Sequence, residues 1–507
     1  MADPSISLLR TSYHLLPPTL PSSPSSSSAP PPTPTLRRRR LSCAAVSASH
    51  RRRWRRGGGG GWVDKVGVRD RVDGERGGAA AVALGVGAPP AEDGDPARGG
   101  RERGLVALKN IRKGEKLLFV PPSLVISPDS EWSSSEVGNV MRRHSVPDWP
   151  LLATYLISEA SLSSSSRWNS YIAALPRQPY SLLYWTRSEL DTFLVASPIR
   201  KRAVERITDV TGTFIDLKER IFSKHPDLFP EEVVYNMETF RWSFGILFSR
   251  LVRLPSMDGK VALVPWADML NHSSEVETFL DYDKSSQGIV FTTDRSYQPG
   301  EQVFISYGKK SNGELLLSYG FVPKEGTNPN DSVELSMSVN KSDKCYEAKQ
   351  EALKKYGLST SERFPLQITG WPLEMMAYAY LVVSPPNMSR CFKEMAAAAS
   401  NKGTAKAKLN YPELEEQTLQ FILDCCESSI SKYNKFIEGG ATFDLIALSA
   451  KQANRKVLLK QLATDLCISE RRILYRAQYI LRRRLRDMRS GELRALTILN
   501  GFRKLFK

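Results

Sequence analysis

The spacing of apolar positions changes several times along this chain, and each change predicts a different kind of element. Residues 104–107 (Gly-Leu-Val-Ala) and 115–120 (Glu-Lys-Leu-Leu-Phe-Val) are short strand-like runs. Asn110 to Gly114 between them has the composition of a turn, which predicts a hairpin. From about Ser134 the spacing becomes helical: Leu151, Leu152, Tyr155 and Leu156 recur on one face, as do Leu190, Phe193, Leu194, Ile199, Val204, Ile207, Phe214 and Leu217. Residues 238–250 read as one further helix, with Phe240, Phe244, Leu247 and Phe248 on its apolar side. Strand-like runs return at 262–264, which Pro265 ends, and at 288–293 and 302–305, on either side of the turn Gln298-Pro299-Gly300-Glu301. Two Tyr-Gly steps, at 307–308 and 319–320, read as strand ends that frame a short polar loop. Beyond Pro329 only helical repeats are expected, over 342–356, 371–383, 411–439 and 451–489. Strands interrupted by helices and followed by helices alone predict an α+β fold with a helical C-terminal domain.

The first hundred residues lack any such pattern. Ten arginines against the single acid Asp3 give residues 1–60 a charge of +9 out of the chain's +17. The basic excess therefore halves once this segment is set aside. Ser- and Pro-rich, Arg-bearing and nearly free of acid, residues 1–60 have the composition of an organellar transit peptide, with a plausible cleavage neighbourhood at Ser42-Cys43-Ala44-Ala45. An arm that binds nucleic acid is the rival for that composition. Residues 61–95 are a low-complexity Gly/Ala/Pro linker, too poor in side chains to order. The absence of any run of eighteen apolar residues argues against a membrane-spanning helix. Six scattered cysteines, with no Cys-x-x-Cys spacing, support neither a disulfide framework nor a metal cluster.

Four blocks carry the chemistry: Glu102-Arg-Gly-Leu-Val-Ala107, Trp266-Ala-Asp-Met-Leu-Asn-His-Ser273, Gly300-Glu-Gln-Val-Phe-Ile-Ser-Tyr307 and Ser311-Asn-Gly-Glu-Leu-Leu-Leu-Ser-Tyr-Gly-Phe321. In this order, with a helical tail behind them, they resemble the SET-domain protein methyltransferases, and within these the plant Rubisco large-subunit methyltransferase group. The resemblance implies a SET domain of short β-sheets with a threaded active-site segment over 96–325. It also implies a helical insertion over about 134–235 and an all-α substrate-binding domain over 330–500. The cysteine clusters that surround the SET core of many histone methyltransferases are absent from this sequence, which agrees with that branch.

The implied activity is transfer of a methyl group from S-adenosylmethionine to a lysine of a protein, in the chloroplast stroma. By resemblance Tyr307 is the catalytic residue, while Tyr319, Phe321, Phe304 and Arg250 line the substrate-lysine channel. Glu102, Arg103, Gly104, Leu105, Asn271 and His272 are expected to hold the cofactor, and no metal is expected. Asp268 is expected to hold the turn before Asn271. The chemistry suits these residue types. An amine attacks only when deprotonated, and apolar aromatic walls lower its pKa by desolvation. A phenol titrating near ~10 is a poor base at neutral pH, so Tyr307 is open to a basic or an orienting role. Ser306-Tyr307-Gly308 departs from the tyrosine context of the Rubisco enzyme, which leaves the substrate open between the Rubisco large subunit, plastid aldolase and another protein. A monomer is expected, docking its protein substrate partly through the helical tail. The basic 471–489 segment keeps a second class in view, a catalytically weak SET protein that binds a partner in a plastid protein or nucleoprotein complex.

Overall fold

The computed structural model describes residues 82–83, 86–87, 104–178, 181–278, 280–400, 411–439 and 450–505. The expected transit segment, nearly all of the linker, Glu102 and Arg103 lie outside these residues. Two small four-stranded sheets form the site-bearing part. The strands in chain order are β1 (Val82–Ala83), β2 (Val86–Gly87), β3 (Leu105–Ala107), β4 (Lys116–Val120), β5 (Val252–Leu254), β6 (Lys260–Ala262), β7 (Asn271–His272), β8 (Asp281–Asp283), β9 (Gly288–Thr292) and β10 (Gln302–Ile305). One sheet has the order β1-β4-β9-β8 and the other β2-β3-β10-β7, while β5 and β6 form a separate pair.

The hairpin expected from 104–120 does not form. β3 pairs antiparallel with β10 and β4 with β9, so the two strands belong to different sheets. The connection from 108 to 115 is too long for a tight hairpin turn. It is instead zipped to the matching connection from 293 to 301: Ile111 and Tyr297 exchange backbone hydrogen bonds, and Gly114 and Glu115 pair with Thr293. Two extended excursions thus run side by side, and pairing distant in sequence displaces the local turn.

Helices Glu136–Arg143, Asp148–Ser161, Asn169–Ala174, Arg187–Phe193 and Ile199–Arg220 occupy the insertion, followed by Met237–Arg250. Phe240, Phe244 and Leu247 pack there with Leu152, Leu156, Phe222 and Phe229 in one buried cluster. The second Tyr-Gly step is not a strand end, because helix Asn312–Tyr319 leads into it. Ser311 Oγ accepts from the Glu314 N–H (3.2 Å) and Glu314 answers from the Ser311 N–H (2.9 Å), a reciprocal N-terminal cap. Gly320, at φ +82°, ends the helix in the left-handed conformation that glycine adopts without a β-carbon clash.

The C-terminal part is helical, as expected, over Tyr346–Lys355, Leu373–Val383, Phe392–Ala399, Pro412–Gly439 and Ala450–Leu505. It also contains a hairpin that helical spacing overlooked, β11 (Ser332–Ser338) with β12 (Ser361–Gln367). The alternation of Val333, Leu335 and Met337, all buried, with exposed or half-buried polar neighbours was the legible signal. A shared core joins the tail to the insertion and to the site helix. Trp185, Phe193 and Ile199 meet Leu316, Leu317, Leu459, Ala463 and Leu466 there, each buried. At about 1.5–3 kcal/mol for each large side chain buried, this contact holds the tail firmly against the helix that ends in Tyr319.

Candidate active site

Two segments about thirty residues apart run side by side at the site. β7 runs parallel to β10, with Asn271 opposite Phe304 and His272 opposite Ile305. The Ser273 N–H donates to the Ile305 carbonyl at 3.1 Å and extends the register. Tyr307 follows directly on β10, and its N–H donates to His272 Nδ1 at 3.1 Å. Its hydroxyl donates to the Leu270 carbonyl at 2.8 Å. Tyr307 is thereby tied at both ends to the 270–272 segment, which fixes the direction of the phenol.

The rings assemble around that anchor. Tyr307 stacks on His272 (centroids 5.2 Å apart, 24° between planes) and on Tyr319 (4.5 Å, 21°). Phe321 closes against Tyr319 edge-on at 6.3 Å and against His272 at 6.3 Å. Tyr307, Tyr319, Phe321 and His272 therefore form one aromatic group. Phe304 lies on the other side of its strand, with Gln302, opposite the buried Val303 and Ile305. Burial, reinforced by Tyr307, pushes the Tyr319 phenol well above its ordinary range, so it stays neutral. Burial also holds His272 below the usual imidazole range against the pull of the Ile305 carbonyl, with Lys310 adding to the depression. Lys310 itself is held below the usual lysine range by burial, opposed by Glu314 and reinforced by Arg206 and Arg202.

Gly104 meets the same strand pair from just before β3. A β-carbon there would fall 2.0 Å from Gln302 Nε2 and 2.8 Å from Asn271 Nδ2, so any larger residue would have to push the ends of both side chains aside. Leu105 beside it is wholly buried and pairs with Val303. Gln302, absent from the sequence expectation, is drawn in by this contact. Its place in a Gly-Glu-Gln run after a turn was no sign of it.

Arg250 supports the turn that leads into β7. Its guanidinium donates to the Asp268 carbonyl at 2.8 Å and stands 3.3 Å from the Asp268 carboxylate, which also accepts from the Tyr171 hydroxyl at 2.7 Å. Burial pushes the Asp268 carboxyl up, against Arg250 and Tyr171. Burial opposes the Arg250 charge too, yet Asp268, Tyr171 and Tyr307 outweigh it and hold the guanidinium ionised. Two residues earlier, Trp266 adopts φ +74° and ψ −47°, a strained conformation for a side chain of this size. Among the described residues, several buried polar atoms without a partner gather on this stretch: Arg250 Nε, Trp266 Nε1, Asp268 Oδ1 and Thr278 Oγ1. Buried donors and acceptors are almost always satisfied, so unmet polar atoms beside a strained residue mark this stretch as a candidate ligand-binding segment. No group of three or more His, Cys, Asp or Glu side chains with metal-site geometry occurs among the described residues.

Comparison with known proteins agrees with this geometry. The SET domain family matches residues 102–308, and the Rubisco LSMT substrate-binding family matches residues 340–474. The chain is 28% identical over 396 residues to the chloroplastic ribulose-1,5 bisphosphate carboxylase/oxygenase large subunit N-methyltransferase of Nicotiana tabacum, covering 75% of this chain and 76% of that protein. It is also 28% identical over 409 residues to the protein of the same name from Pisum sativum, covering 76% and 80%. The actin-histidine N-methyltransferase of Homo sapiens is 27% identical over 294 residues, 55% of this chain and 47% of that protein. Among solved structures, Rubisco LSMT bound to AdoMet superimposes with a TM-score of 0.58 at 25% identity, over 79% of this chain and 88% of the other. The SET domain of LSMT bound to MeLysine and AdoHcy gives 0.60 at 26% identity, over 80% and 89%.

Proposed function

Because the chain is a SET-domain methyltransferase related in sequence and structure to the plant Rubisco LSMT family, we propose that it methylates a lysine side chain of a chloroplast protein, using S-adenosylmethionine. The observation that carries this reading is the stacked Tyr307–Tyr319 pair, standing beside the β7–β10 strand pair that Gly104 approaches at Asn271. S-adenosylmethionine, when bound, supplies the activated methyl group. Gly104 and Leu105 at the start of β3, with Asn271 and His272 from β7, would hold it, and Glu102 and Arg103 are proposed with them. The unpartnered polar atoms of the 250–278 segment fit a polar ligand at this place.

Tyr319 and Phe321 form the apolar walls that receive the target side chain. Desolvation there favours the neutral amine, and the charges of Arg206, felt at Tyr319, and of Lys310, felt at His272, work in the same direction, while Glu314, also felt at Tyr319, opposes them. Tyr307 acts as a guide more than as a base. Its proton points at the Leu270 carbonyl, so its oxygen meets the amine as an acceptor. Arg250 acts through Asp268, bracing the turn before Asn271. The helical domain offers the protein substrate its docking surface, packed as it is against the helix that ends in Tyr319.

Gly104→Ala is expected to weaken S-adenosylmethionine binding about threefold to tenfold, since the ends of Gln302 and Asn271 must swing away from the added methyl, at the low end of overpacking, about 1 kcal/mol. Isothermal titration reads this directly, and an unchanged Kd removes Gly104 from the cofactor site. The function itself is tested by incubating the full chain and radiolabelled S-adenosylmethionine with stromal, cytosolic and nuclear extracts. Digestion and mass spectrometry then identify the labelled residue. A stromal band carrying methyllysine is the expected result. Methylhistidine would transfer the chain to the chemistry named for the actin-histidine relatives, and a band in another compartment would refute the chloroplast assignment. Cofactor binding without any labelled band would favour the binding-module alternative.

A further inference from the structure

A chain of hydrogen bonds leads from Tyr307 to the C-terminal helix, and every donor in it is determined. At one end is the Tyr307 backbone N–H, which can only donate, to His272 Nδ1 (3.1 Å). Nδ1 is then the acceptor, and the proton of the neutral imidazole sits on Nε2, 3.3 Å from Ser274 Oγ. Ser274 Oγ donates to Asn328 Oδ1 at 3.5 Å, the longest link. Asn328 Nδ2 donates to Asn312 Oδ1 at 2.8 Å and to the Lys310 carbonyl at 2.9 Å. Asn312 Nδ2 donates to Ser469 Oγ at 3.0 Å, and Ser469 Oγ donates to the Asp331 carboxylate at 2.5 Å. That carboxylate also accepts the backbone N–H groups of Asn312 (2.8 Å) and Ser332 (2.9 Å). A backbone N–H at one end and a carboxylate at the other leave a single orientation for every hydroxyl, amide and ring between them. Asn312, Asn328, Asp331 and Ser469 are all buried, so water does not readily substitute for a missing partner.

Asn312 also opens the helix that carries Tyr319 at its other end. Both tyrosine walls are therefore tied to one buried anchor, Tyr307 through His272 and Asn328, Tyr319 through the base of its helix. We infer that Asn312 and Asn328 are positioning residues of the transfer site, through which Ser469 on the C-terminal helix sets the orientation of His272 and the two tyrosines. This rests on the methyltransferase reading above and adds to it a route by which seating of the helical domain governs the pocket. The second consequence concerns protons. A proton added to His272 arrives on Nδ1 and opposes the Tyr307 N–H, so the chain holds only while the imidazole is neutral. Lys310 is the charged group that faces the ring, with the Ile305 carbonyl and the neutral Tyr307 and Phe321 around it. Because the folded pKa lies below the ordinary ~6.5, stability from this ring is present at neutral pH and declines as pH falls below that value.

The test compares full-length wild type with Ser469→Ala, using ¹⁵N-histidine NMR of the free protein together with kcat, KM and thermal unfolding. In wild type His272 is expected as the Nε2–H tautomer with its pKa below the usual range. In Ser469→Ala the His272 signals should shift and kcat should fall about 3- to 10-fold, as for one hydrogen bond lost, with KM for S-adenosylmethionine little changed. An Nδ1–H tautomer in wild type overturns the inference. So does a variant in which only the melting temperature moves while His272 and kcat do not. Ser274→Ala breaks the same chain nearer the cleft, at a half-buried position, and gives the same readout if Ser469→Ala does not fold. The NMR measurement needs no turnover, so failure of the coupling is distinguishable from failure of the enzyme assignment.

Discussion

Tyr307→Phe is expected to slow methyl transfer about 100- to 1,000-fold, the range seen when one preorganised polar group is removed from a transfer site. The hydroxyl alone is lost. The ring that stacks on His272 and Tyr319 remains, and so does the backbone N–H that donates to His272. The fold should therefore suffer chiefly the loss of the bond to the Leu270 carbonyl, about 1 kcal/mol. Cofactor affinity should stay close to wild type. Rate and KM with the stromal substrate, beside a titration of S-adenosylmethionine binding, separate the two effects. Turnover within a few-fold of wild type would show that the phenol neither orients the amine nor takes part in proton removal. A steep loss of cofactor binding would move Tyr307 from the transfer centre to the cofactor pocket.

Arg250→Met has the largest expected effect on stability. Asp268 is 1% exposed and Arg250 19%, so this ion pair is far removed from the solvent that weakens most such pairs. Met nearly keeps the volume and removes the charge. Asp268 is left with the Tyr171 hydroxyl and its own backbone N–H, and must either stay ionised in a buried site or take up a proton. Breaking a buried pair from one side costs about 3–5 kcal/mol. The loss should grow with pH. Burial already pushes the Asp268 carboxyl above its ordinary value, and without Arg250 it rises further. The unfolded chain ionises near ~4, so each step upward from there favours unfolding. Thermal unfolding at pH 5 and pH 8 should show the smaller deficit at pH 5. Arg250→Met with Asp268→Asn should recover part of it, because no charge is then buried alone. A deficit below about 1 kcal/mol at both pH values would mean that the pair is solvated in solution and does not brace the Asn271 turn.

How much of this was legible beforehand can be seen in single elements. The caps of helix Asn312–Tyr319 stand openly in Ser311-Asn-Gly-Glu314 and Gly320, yet the segment still read as a strand end. A short apolar run of Leu-Leu-Leu has no period that separates the two. Residues 104–120 likewise contained two strands and a turn, and the hairpin inferred from them was the locally reasonable answer. Nothing local distinguishes that pairing from the one adopted, in which each strand joins a partner more than 150 residues on. Tyr307, Asn271 and His272 could be proposed from the sequence because they stand in contiguous motifs, and the fold brings them together. Gln302, Ser274, Asn328 and Ser469 could not, because each is an ordinary polar residue whose part depends on what stands beside it.

By itself the sequence determined most of the kinds of element, the α+β order of strands, helical insertion and helical tail, and which aromatic and polar groups to propose for the site. These follow from spacing, capping and residue type, which act over a few positions. Tertiary structure alone decided which strands pair, that Arg250 serves Asp268, and that a serine on the last helix is bonded toward the tyrosine walls. Pairing energy and hydrogen-bond satisfaction in a buried interior are properties of groups brought together from distant parts of the chain, and no local pattern encodes which of the available partners will be met.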